Sequence, residues 1–542
     1  MSREIQKTVC PFCTLGCTIG MVFDKGRFWH TYPKGGINQG RLCPRGNIAA
    51  RYLDYELRLC YPLKGDRTIT WQSAFDEINN ALRKYPPDEI AVLYDKNLTI
   101  EEFQLLNNFV SRLGIKNFAS SYIEPEYYFN FLPEEIKFAT EEDLANAQLF
   151  LLIGDVFNQS PIIARFVLDS RYKRREHRII GIDSINNYTM NFSDIALICK
   201  PGMEPLVIAA VENIINRKTK GIGAKKLCGL AGVPIDIVET VASTFDQIER
   251  GVIINVASAG KHLHPLLHCI APVLLTPIPG KDIKYLPLAE SSSFVGSKDF
   301  TEIYGLIKRD KIKFILNFGD YFPFFNLPLF QELTRVDLIV TTSTIKYQHL
   351  PLPIITLPVP SNLEKSGRIQ TVFGPQTINP LAGPVSGAKP ISEIIENIGS
   401  GGDSINKTTM SLKAQKIETE KAKDMIDKFA NSIKEQKIYD KTFCLLGEKI
   451  AFDFLGLLNS PEIKINSKTA QLLNINEGEA LNIQSKSKRL ELKSHITDQV
   501  PHQYIAVSSE LKEIRELFEY EINTAEGQSK ILPVEVKIWK RE

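Results

Sequence analysis

The chain has 542 residues, of which 65 are basic and 63 acidic, giving a formal net charge of +2. This near-balance excludes a general electrostatic attraction to nucleic acid, so we expect partners to be recognised through local surfaces. No run of about 18 uncharged apolar residues occurs, so we expect no membrane span, and a chain of this length should fold into several domains.

The first 60 residues contain four cysteines in a distinctive pattern. Cys10, Cys13 and Cys17 lie on one short segment, and Cys43 follows in a separate glycine-flanked turn at residues 40–46. In the spacing C-x2-C-x3-C-x25-C, three thiolates of one loop can bind three corners of a cubane cluster and a distant cysteine can bind the fourth. Structural zinc is the alternative, although zinc sites usually take two pairs of ligands. The pattern therefore predicts a [4Fe-4S] site.

The other cysteines occur singly in apolar segments, where free buried thiols are expected. They are Cys60, Cys199, Cys228, Cys269 and Cys444. Their irregular spacing, and the absence of a charged-apolar-small leader before Cys10, argue against a disulfide framework and against secretion. We therefore expect a reducing, cytoplasmic compartment.

The elements predicted along the chain change character twice. Residues 18–23 and 27–30 flank a turn at 24–26, which predicts a β-hairpin packed over the cysteine loop. From about 70 to 400, short apolar runs alternate with helical segments such as 72–84 and 204–217, which is typical of parallel sheets covered on both faces. These runs are 90–94, 149–154, 178–183, 252–256, 314–319 and 338–340.

A Gly/Ser-rich stretch and a Lys/Glu-rich stretch then interrupt the pattern at 401–439. After it, apolar and polar residues alternate, which predicts an antiparallel sheet or small barrel. The predicted organisation is therefore α/β: a small β-rich cluster domain at 1–60, doubly wound parallel-sheet lobes at 61–400, a linker at 401–439 and a β-barrel at 440–542.

The order of these units resembles the molybdopterin oxidoreductase superfamily. The resemblance rests on the cysteine loop with its ending Leu-Cys-Pro-Arg-Gly at 42–46, and on the barrel entry at 465–473. It is similar above all to formate dehydrogenase catalytic subunits and to the large iron–sulfur subunit of NADH dehydrogenase complexes. In that family the last domain binds the dinucleotide end of a pterin cofactor. Weaker similarities lie at 154–161, 201–204 and 364–367.

Several positions depart from the family pattern. Active members place a cysteine, selenocysteine or serine on the metal, but the equivalent stretch 120–127 has only serines, Ser120 and Ser121, to offer. The family's lysine two residues after the fourth cysteine, thought to lie between cluster and pterin, is Arg45 here, which keeps the charge but not the compact shape. Aromatic residues, including Tyr321, Phe322 and Tyr347, stand in turns that face the cofactor in the family.

Two functional hypotheses follow from the resemblance. In the first, the chain is an electron-transfer and scaffold subunit of a cytoplasmic oxidoreductase complex, with one [4Fe-4S] cluster, no working molybdenum centre and no catalytic residue of its own. Its partners would then be redox subunits with flavin or iron–sulfur clusters. In the second, it is a complete molybdenum or tungsten bis-pterin enzyme, such as a formate dehydrogenase, with an atypical metal ligand. A purely structural relic is a third possibility. We favour the first.

Two further groups of residues are of types that bind metals or phosphates. His262, His264 and His268 lie within seven residues, but without a neighbouring acidic residue a structural role is favoured over a metal site. Basic residues at 171–175 resemble a phosphate-binding patch, although a solvated helix end explains them as well. No G-x-G-x-x-G follows a strand, so any NAD(P)H would bind another subunit.

Overall fold

The structure is a computed structural model, and it forms two compact units. The first comprises Met1–Asn130, Glu290–Ala414 and Ile522–Ser529, and the second Phe131–Ala289, Gln415–Glu521 and Lys530–Glu542. The structure describes residues 5–25, 27–53, 57–95, 97–121, 132–217, 221–256, 264–288, 298, 300–319, 332–346, 352–383, 387–399, 416–433, 443–448, 462–486, 488–502, 504–508, 514, 517–518, 520–523, 528–531 and 534–540. Within these ranges no helix is long and apolar enough to cross a membrane.

The first unit begins with a small antiparallel sheet. Its strands, in spatial order, are Gln6–Val9, Thr18–Asp24 and Arg27–Thr31. Alternation along the middle strand buries Ile19 and Met21, so one face of this sheet packs inward. Two short helices follow at Pro44–Asn47 and Ala49–Leu53. The predicted hairpin at 18–30 is confirmed.

A seven-stranded sheet forms the centre of the first unit. Its order is Arg67–Thr68, Leu63–Lys64, Ile354–Pro358, Leu338–Ser343, Phe314–Phe318, Ile90–Tyr94 and Asn117–Ser120. The last five strands are mutually parallel, and the first two add an antiparallel edge. Buried apolar residues lie on both faces, as expected for a sheet covered by helices on both sides.

The helices of the first unit begin and end at recognisable signals. Thr70 caps the helix Trp71–Lys84 by accepting from the amide of Ser73, and Thr99 and Glu102 form a capping box at the start of Ile100–Arg112. The other described helical segments are Phe300–Lys308, Leu333–Arg335 and Ile391–Asn397. A two-stranded ribbon, Gly367–Thr371 with Gly374–Ile378, completes this unit, and a separate ribbon pairs Tyr520–Asn523 with Gln528–Ile531.

The second unit contains a five-stranded parallel sheet. Its order is Ile195–Ile198, Arg178–Asp183, Leu149–Ile153, Arg250–Asn255 and Asp282–Pro287. The chain therefore starts in the centre, moves to one edge and then fills the other edge, as in a doubly wound sheet. Its helical segments are Glu141–Asn146, Val156–Gln159, Pro161–Lys173, Tyr188–Asn191, Glu204–Ile215, Ala224–Ala231, Ile235–Asp246, Pro265–Ile270, Ala271–Leu275, Thr419–Ser432 and Ser467–Leu472.

A six-stranded sheet in the second unit curls until its first and last strands pair. The order is Phe443–Glu448, Tyr504–Ser508, Glu462–Ile465, Arg489–Ile496, Ala480–Gln484 and Val534–Lys540. Its interior is apolar, with Ile463, Leu481 and Val536 fully buried. The expected fold class is confirmed: an N-terminal β-rich region, parallel α/β sheets and a C-terminal curled sheet.

Candidate metal centre

The loop that carries the first three cysteines is held at both ends by the N-terminal sheet. Strand Gln6–Val9 leads directly into Cys10, and Cys17 directly precedes strand Thr18–Asp24. These strands pair antiparallel, and the amide of Cys10 donates to the carbonyl of Cys17 over 2.7 Å. The pairing therefore closes the loop and leaves Cys13 in the turn between them.

A glycine gives this loop its tight shape. Gly16 has φ +76°, in the left-handed region that glycine adopts at little cost. A Cβ at this position would lie 2.8 Å from Oε1 of Gln376, so the ribbon Gly374–Ile378 packs directly behind the loop. The amide of Val372 also donates to the carbonyl of Thr14 over 2.8 Å. The cysteine loop is thus supported by residues more than 350 positions away in sequence.

A buried asparagine fixes the second cysteine segment against the first. The side chain of Asn38 accepts from the amide of Thr18 over 2.8 Å and donates to its carbonyl over 2.9 Å. The same amide group donates to the carbonyl of Arg41 over 2.6 Å. Asn38 is fully buried. It therefore ties the turn that precedes Cys43 to the strand that follows Cys17, a role that sequence reasoning did not identify.

Cys43 lies at the N-cap of the helix Pro44–Asn47, with extended backbone angles. Its carbonyl accepts from the amide of Asn47 over 3.0 Å and from the Asn47 side chain over 3.3 Å. These bonds fix the backbone of the cysteine that arrives from the separate turn.

All four sulfurs lie within one electrostatic environment. Cys10 and Cys17 are buried, whereas Cys13 and Cys43 are half-buried. Burial is the main cause that raises the pKa of the Cys17 thiol, and the other three cysteines raise that pKa further. Burial likewise raises the pKa of Cys10, with added contributions from Cys13 and Cys43. Four thiolates so close together repel one another unless a positively charged metal group binds them, so the site is suited to holding such a group.

The arrangement fits a cluster better than a single zinc ion. A zinc ion needs each sulfur at about 2.3 Å from the metal, which brings the sulfurs close to one another. Among the described residues, no three cysteine, histidine or acidic side chains are grouped closely enough to hold one metal ion. A cubane binds each thiolate to a different iron, so its four ligands are spread more widely. The cradle therefore fits a [4Fe-4S] cluster.

Arg45 lies buried beside the cysteines. Its exposed fraction is 5%, and its guanidinium lowers the pKa of both Cys10 and Cys17. Arg41, four residues earlier, is exposed instead. Arg45 is thus a buried cation that acts on the sulfurs of Cys10 and Cys17.

A network of buried polar and aromatic groups connects the cysteine loop to the seven-stranded sheet. The ring of Phe12 meets the ring of Tyr52 edge-on, with centroids 6.2 Å apart. The Tyr52 hydroxyl lies 2.6 Å from Oγ1 of Thr344. Arg58 donates from Nε to the carbonyl of Thr344 over 3.1 Å and from Nη2 to Glu364 over 2.6 Å. The Arg58–Glu364 pair is almost completely buried.

The stretch expected to supply a molybdenum ligand is described only at its start. Ser120 ends the strand Asn117–Ser120 and is buried, as is Ser121. The amide and the hydroxyl of Ser121 both donate to the carbonyl of Tyr94, over 2.7 and 3.0 Å. The hydroxyl is therefore engaged with the backbone. Residues 122–127, Tyr321, Phe322 and Tyr347 lie outside the described part of the chain.

The histidine group and the basic patch of the second unit have structural partners. His264 is the N-cap residue of the helix Pro265–Ile270, and its ring packs on the ring of Phe429. His268 lies fully buried, with Nε2 3.1 Å from Oε2 of Glu204, an acidic partner 64 residues away. His262 lies outside the described residues. In the basic patch, Arg171 forms an ion pair with Asp194 over 2.8 Å.

Comparisons with known proteins agree with this site. Residues 4–54 match the molybdopterin oxidoreductase Fe4S4 domain, and residues 58–225 match the molybdopterin oxidoreductase domain. The structure is similar to acetylene hydratase from Pelobacter acetylenicus, with a TM-score of 0.77 and 14% identity, over 99% of this chain and 100% of that chain. At that identity the similarity concerns the fold. Residues 4–54 and 58–225 thus match domains of the molybdopterin oxidoreductase family, and the Fe4S4 domain implies a [4Fe-4S] cluster.

Two relatives found by sequence are alpha subunits of formate dehydrogenases. The F420-dependent formate dehydrogenase subunit alpha of Methanocaldococcus jannaschii is 31% identical over 229 residues, which are 40% of this chain and 33% of that protein. The F420-dependent formate dehydrogenase 2 subunit alpha of Methanococcus maripaludis is 26% identical over 288 residues, 46% of this chain and 42% of that protein. The matched part thus spans about a third to two fifths of these relatives, and within it the chain is formate dehydrogenase-like.

Proposed function

We propose that this chain is an electron-transfer and scaffold subunit of an oxidoreductase complex, in which Cys10, Cys13, Cys17 and Cys43 hold one [4Fe-4S] cluster. The observation that carries the proposal is the convergence of all four sulfurs on one buried environment beside Arg45. Such a cluster, when bound, supplies one-electron transfer.

The chain's own residues prepare this environment. Phe12, Leu15 and Ile19 are buried around the cysteine loop and keep water from its inner side. The guanidinium of Arg45 offsets negative charge on the sulfurs, because a cation in a buried site acts with little screening. Water exclusion and a fixed positive charge are two of the factors that set the reduction potential of an iron–sulfur site.

We further propose that the molybdenum centre of the family does not function here. This proposal is supported by the hydroxyl of Ser121, which donates to the carbonyl of Tyr94, and by the burial of Ser120 at the last position of a strand. The second candidate function is a complete molybdenum or tungsten bis-pterin enzyme acting on formate. It is favoured by the match of residues 58–225 and by the formate dehydrogenase relatives.

The relatives are named as subunits of formate dehydrogenases, which supports a hetero-oligomer. We propose partners that carry flavin or iron–sulfur clusters, in a reducing cytoplasmic compartment. The domain boundaries we propose are 1–60 for the cluster domain, 61–400 for the α/β lobes, 401–439 for a linker and 440–542 for the curled sheet.

Metal analysis of the purified protein tests the proposal. We expect about four iron atoms per chain and no stoichiometric molybdenum or tungsten, together with an electron paramagnetic resonance signal of a reduced cubane cluster. Stoichiometric molybdenum or tungsten, or formate oxidation by the isolated chain with an artificial acceptor, would replace the relay assignment with the enzyme assignment. Bound zinc in place of iron would refute both the relay assignment and the enzyme assignment.

A further inference from the structure

The N-terminal residues carry an unusual share of the chain's positive charge. Residues 1–60 contain nine basic and four acidic side chains, a net charge of +5, so residues 61–542 carry a net charge of −3. Within the described residues 5–53, Asp24 is the sole carboxylate. The positive charge is therefore a property of this region and is hidden in the balanced total.

Most of these cations face solvent. Arg45 is buried beside the cysteines, but six others are exposed, and none of the six forms an ion pair with a residue that the structure describes. They are Lys7, Lys25, Arg27, Lys34, Arg41 and Arg51. Water and salt screen exposed charges more than buried ones. Offsetting the charge of the cysteine site therefore explains the buried Arg45 better than it explains the exposed cations.

Three large aromatic side chains are exposed among these cations, namely Phe23, Trp29 and Tyr32. Trp29 is 57% exposed and Tyr32 56%. In the sheet register, Trp29 pairs with Val22 and Arg27 pairs with Asp24, so Trp29 and Arg27 lie on the same face of the edge strand. Lys7 is opposite Gly20, which places it on that face as well. The basic aromatic face is defined as Lys7, Arg27 and Trp29, which share this side of the sheet. Tyr32 stacks on His30, whose partner in the register is Met21, so Tyr32 belongs to the other side of the edge strand.

This face belongs to the sheet that closes the cysteine loop. Lys7 lies on the strand Gln6–Val9, which leads directly into Cys10, and the edge strand Arg27–Thr31 with Trp29 pairs with the strand that follows Cys17. Beyond the edge strand, the Tyr32 hydroxyl donates to Oδ1 of Asn47 over 3.1 Å, and Nδ2 of Asn47 donates to the carbonyl of Cys43 over 3.3 Å. A molecule bound to this face would therefore contact the strands that hold the candidate centre.

We propose that the basic aromatic face docks an acidic electron-carrier protein. This inference rests on the proposed function, since it assigns the partner class of the same centre. Complementary charge steers a protein partner to its site and raises the association rate by about 10 to 1,000-fold. Tyrosine, tryptophan and arginine are the residue types enriched in interface cores and in their energetic hot spots. A protein carrier is favoured over an anionic membrane because Lys7, Arg27 and Trp29 lie on β-strands, whereas binding to a membrane surface typically uses an amphipathic helix.

The test measures binding and does not depend on turnover. A purified acidic ferredoxin is titrated against the full chain at low salt and at 1 M NaCl, where the Debye length is about 3 Å. We expect Lys7→Glu/Arg27→Glu to weaken binding by about 10-fold or more at low salt and to lose that effect at 1 M NaCl. Trp29→Ala should weaken binding by about 30-fold, the size of a hot-spot loss.

The matched control changes the same charge elsewhere. Arg174 and Arg175 are exposed cations in the second unit, and Arg174→Glu/Arg175→Glu should change the dissociation constant by less than about twofold. Equal weakening by this control, no binding of ferredoxin by the native chain, or binding to phosphatidylglycerol vesicles in preference to ferredoxin would overturn the docking proposal. Iron content of each variant is measured separately. A native chain without iron refutes the proposed relay, whereas an iron-loaded chain whose ferredoxin binding is unchanged by Lys7→Glu/Arg27→Glu refutes the docking face alone.

Discussion

The buried ion pair between Arg58 and Glu364 should be essential to the first unit. The two side chains are 5% and 3% exposed, and their charged atoms lie 2.6 Å apart. The same carboxylate oxygen of Glu364 accepts from the amide and the hydroxyl of Ser361, each over 2.8 Å. Removing one partner from a buried pair leaves an uncompensated charge and costs about 3–5 kcal/mol.

Glu364→Gln isolates the effect of charge, because glutamine keeps the size and one acceptor oxygen. We expect a loss of about 3 kcal/mol, the lower end of that range, since an amide oxygen can still accept from the guanidinium. In Arg58→Met/Glu364→Gln no charge is left unpaired, and the loss should fall to about 1 kcal/mol. The contrast between the single and double variants is the measured quantity.

Hydrogen exchange followed by mass spectrometry measures this loss locally, which suits a chain with two units. The amide of Leu59 donates to the carbonyl of Thr344 over 3.0 Å and reports opening around the pair. Exchange there should accelerate by about two orders of magnitude in Glu364→Gln, since about 1.4 kcal/mol corresponds to a factor of ten.

The control is an exposed pair in the same unit. Lys64 and Glu77 are 50% and 31% exposed, with charged atoms 2.7 Å apart, so Glu77→Gln should cost under about 1 kcal/mol. An acceleration at Leu59 below about fivefold in Glu364→Gln, or a double variant as destabilised as the single one, would refute the reasoning.

Three further outcomes are expected. Cys13→Ser should lose most of the iron-linked absorbance and destabilise the N-terminal region, as measured by iron content and by proteolysis of residues 1–60; unchanged iron would exclude this loop as the ligand set. Burial lowers the pKa of His177, whose Nδ1 lies 2.8 Å from the Ser170 hydroxyl. The unfolded chain therefore binds a proton more readily than the folded chain, and the melting temperature should fall as pH drops below about 6.5. His177→Gln should reduce the dependence of melting temperature on pH, and an unaltered dependence would contradict the assignment. Gly387→Ala should destabilise the first unit by more than about 2 kcal/mol in denaturant unfolding, because φ is +87° and the added Cβ would lie 2.0 Å from the carbonyl oxygen of Cys60; a neutral effect would show that this turn relaxes freely.

Local patterns predicted the parallel strands because each strand is a short apolar run with turn residues at its ends. The runs at 90–94 and 178–183 correspond to the strands Ile90–Tyr94 and Arg178–Asp183. The helical segments at 72–84 and 204–217 correspond to Trp71–Lys84 and Glu204–Ile215. Burial on both faces leaves this imprint in any strand, whatever its neighbours are.

Strand order was beyond sequence reasoning because it depends on distant pairing. Ile90–Tyr94 lies beside Phe314–Phe318, more than 200 residues later, and the apolar run itself does not specify which neighbour it takes. The pair of His268 with Glu204 could not be predicted for the same reason, since the acidic partner lies far from the histidines in sequence. Helix Thr419–Ser432 shows a related gap: its buried Ala422, Ile426 and Ala430 follow four-residue spacing within a segment dominated by charged residues.

The candidate metal centre divides in the same way between local and distant information. Four cysteines could be selected from spacing alone, because metal ligands must be particular residue types and three of them share one loop. The residues that hold the cysteine segments in place could not be selected in this way, because they are of ordinary types. Asn38 bonds to Thr18, Gln376 packs against Gly16, and Thr344 lies within hydrogen-bond distance of Tyr52. A cysteine signature therefore predicts that a cluster can bind, whereas the surrounding residues determine how rigidly the site is held and which surface a partner can reach. For this chain, the surface that a partner can reach carries exposed cations around Trp29, and binding experiments can test it without knowledge of the overall reaction.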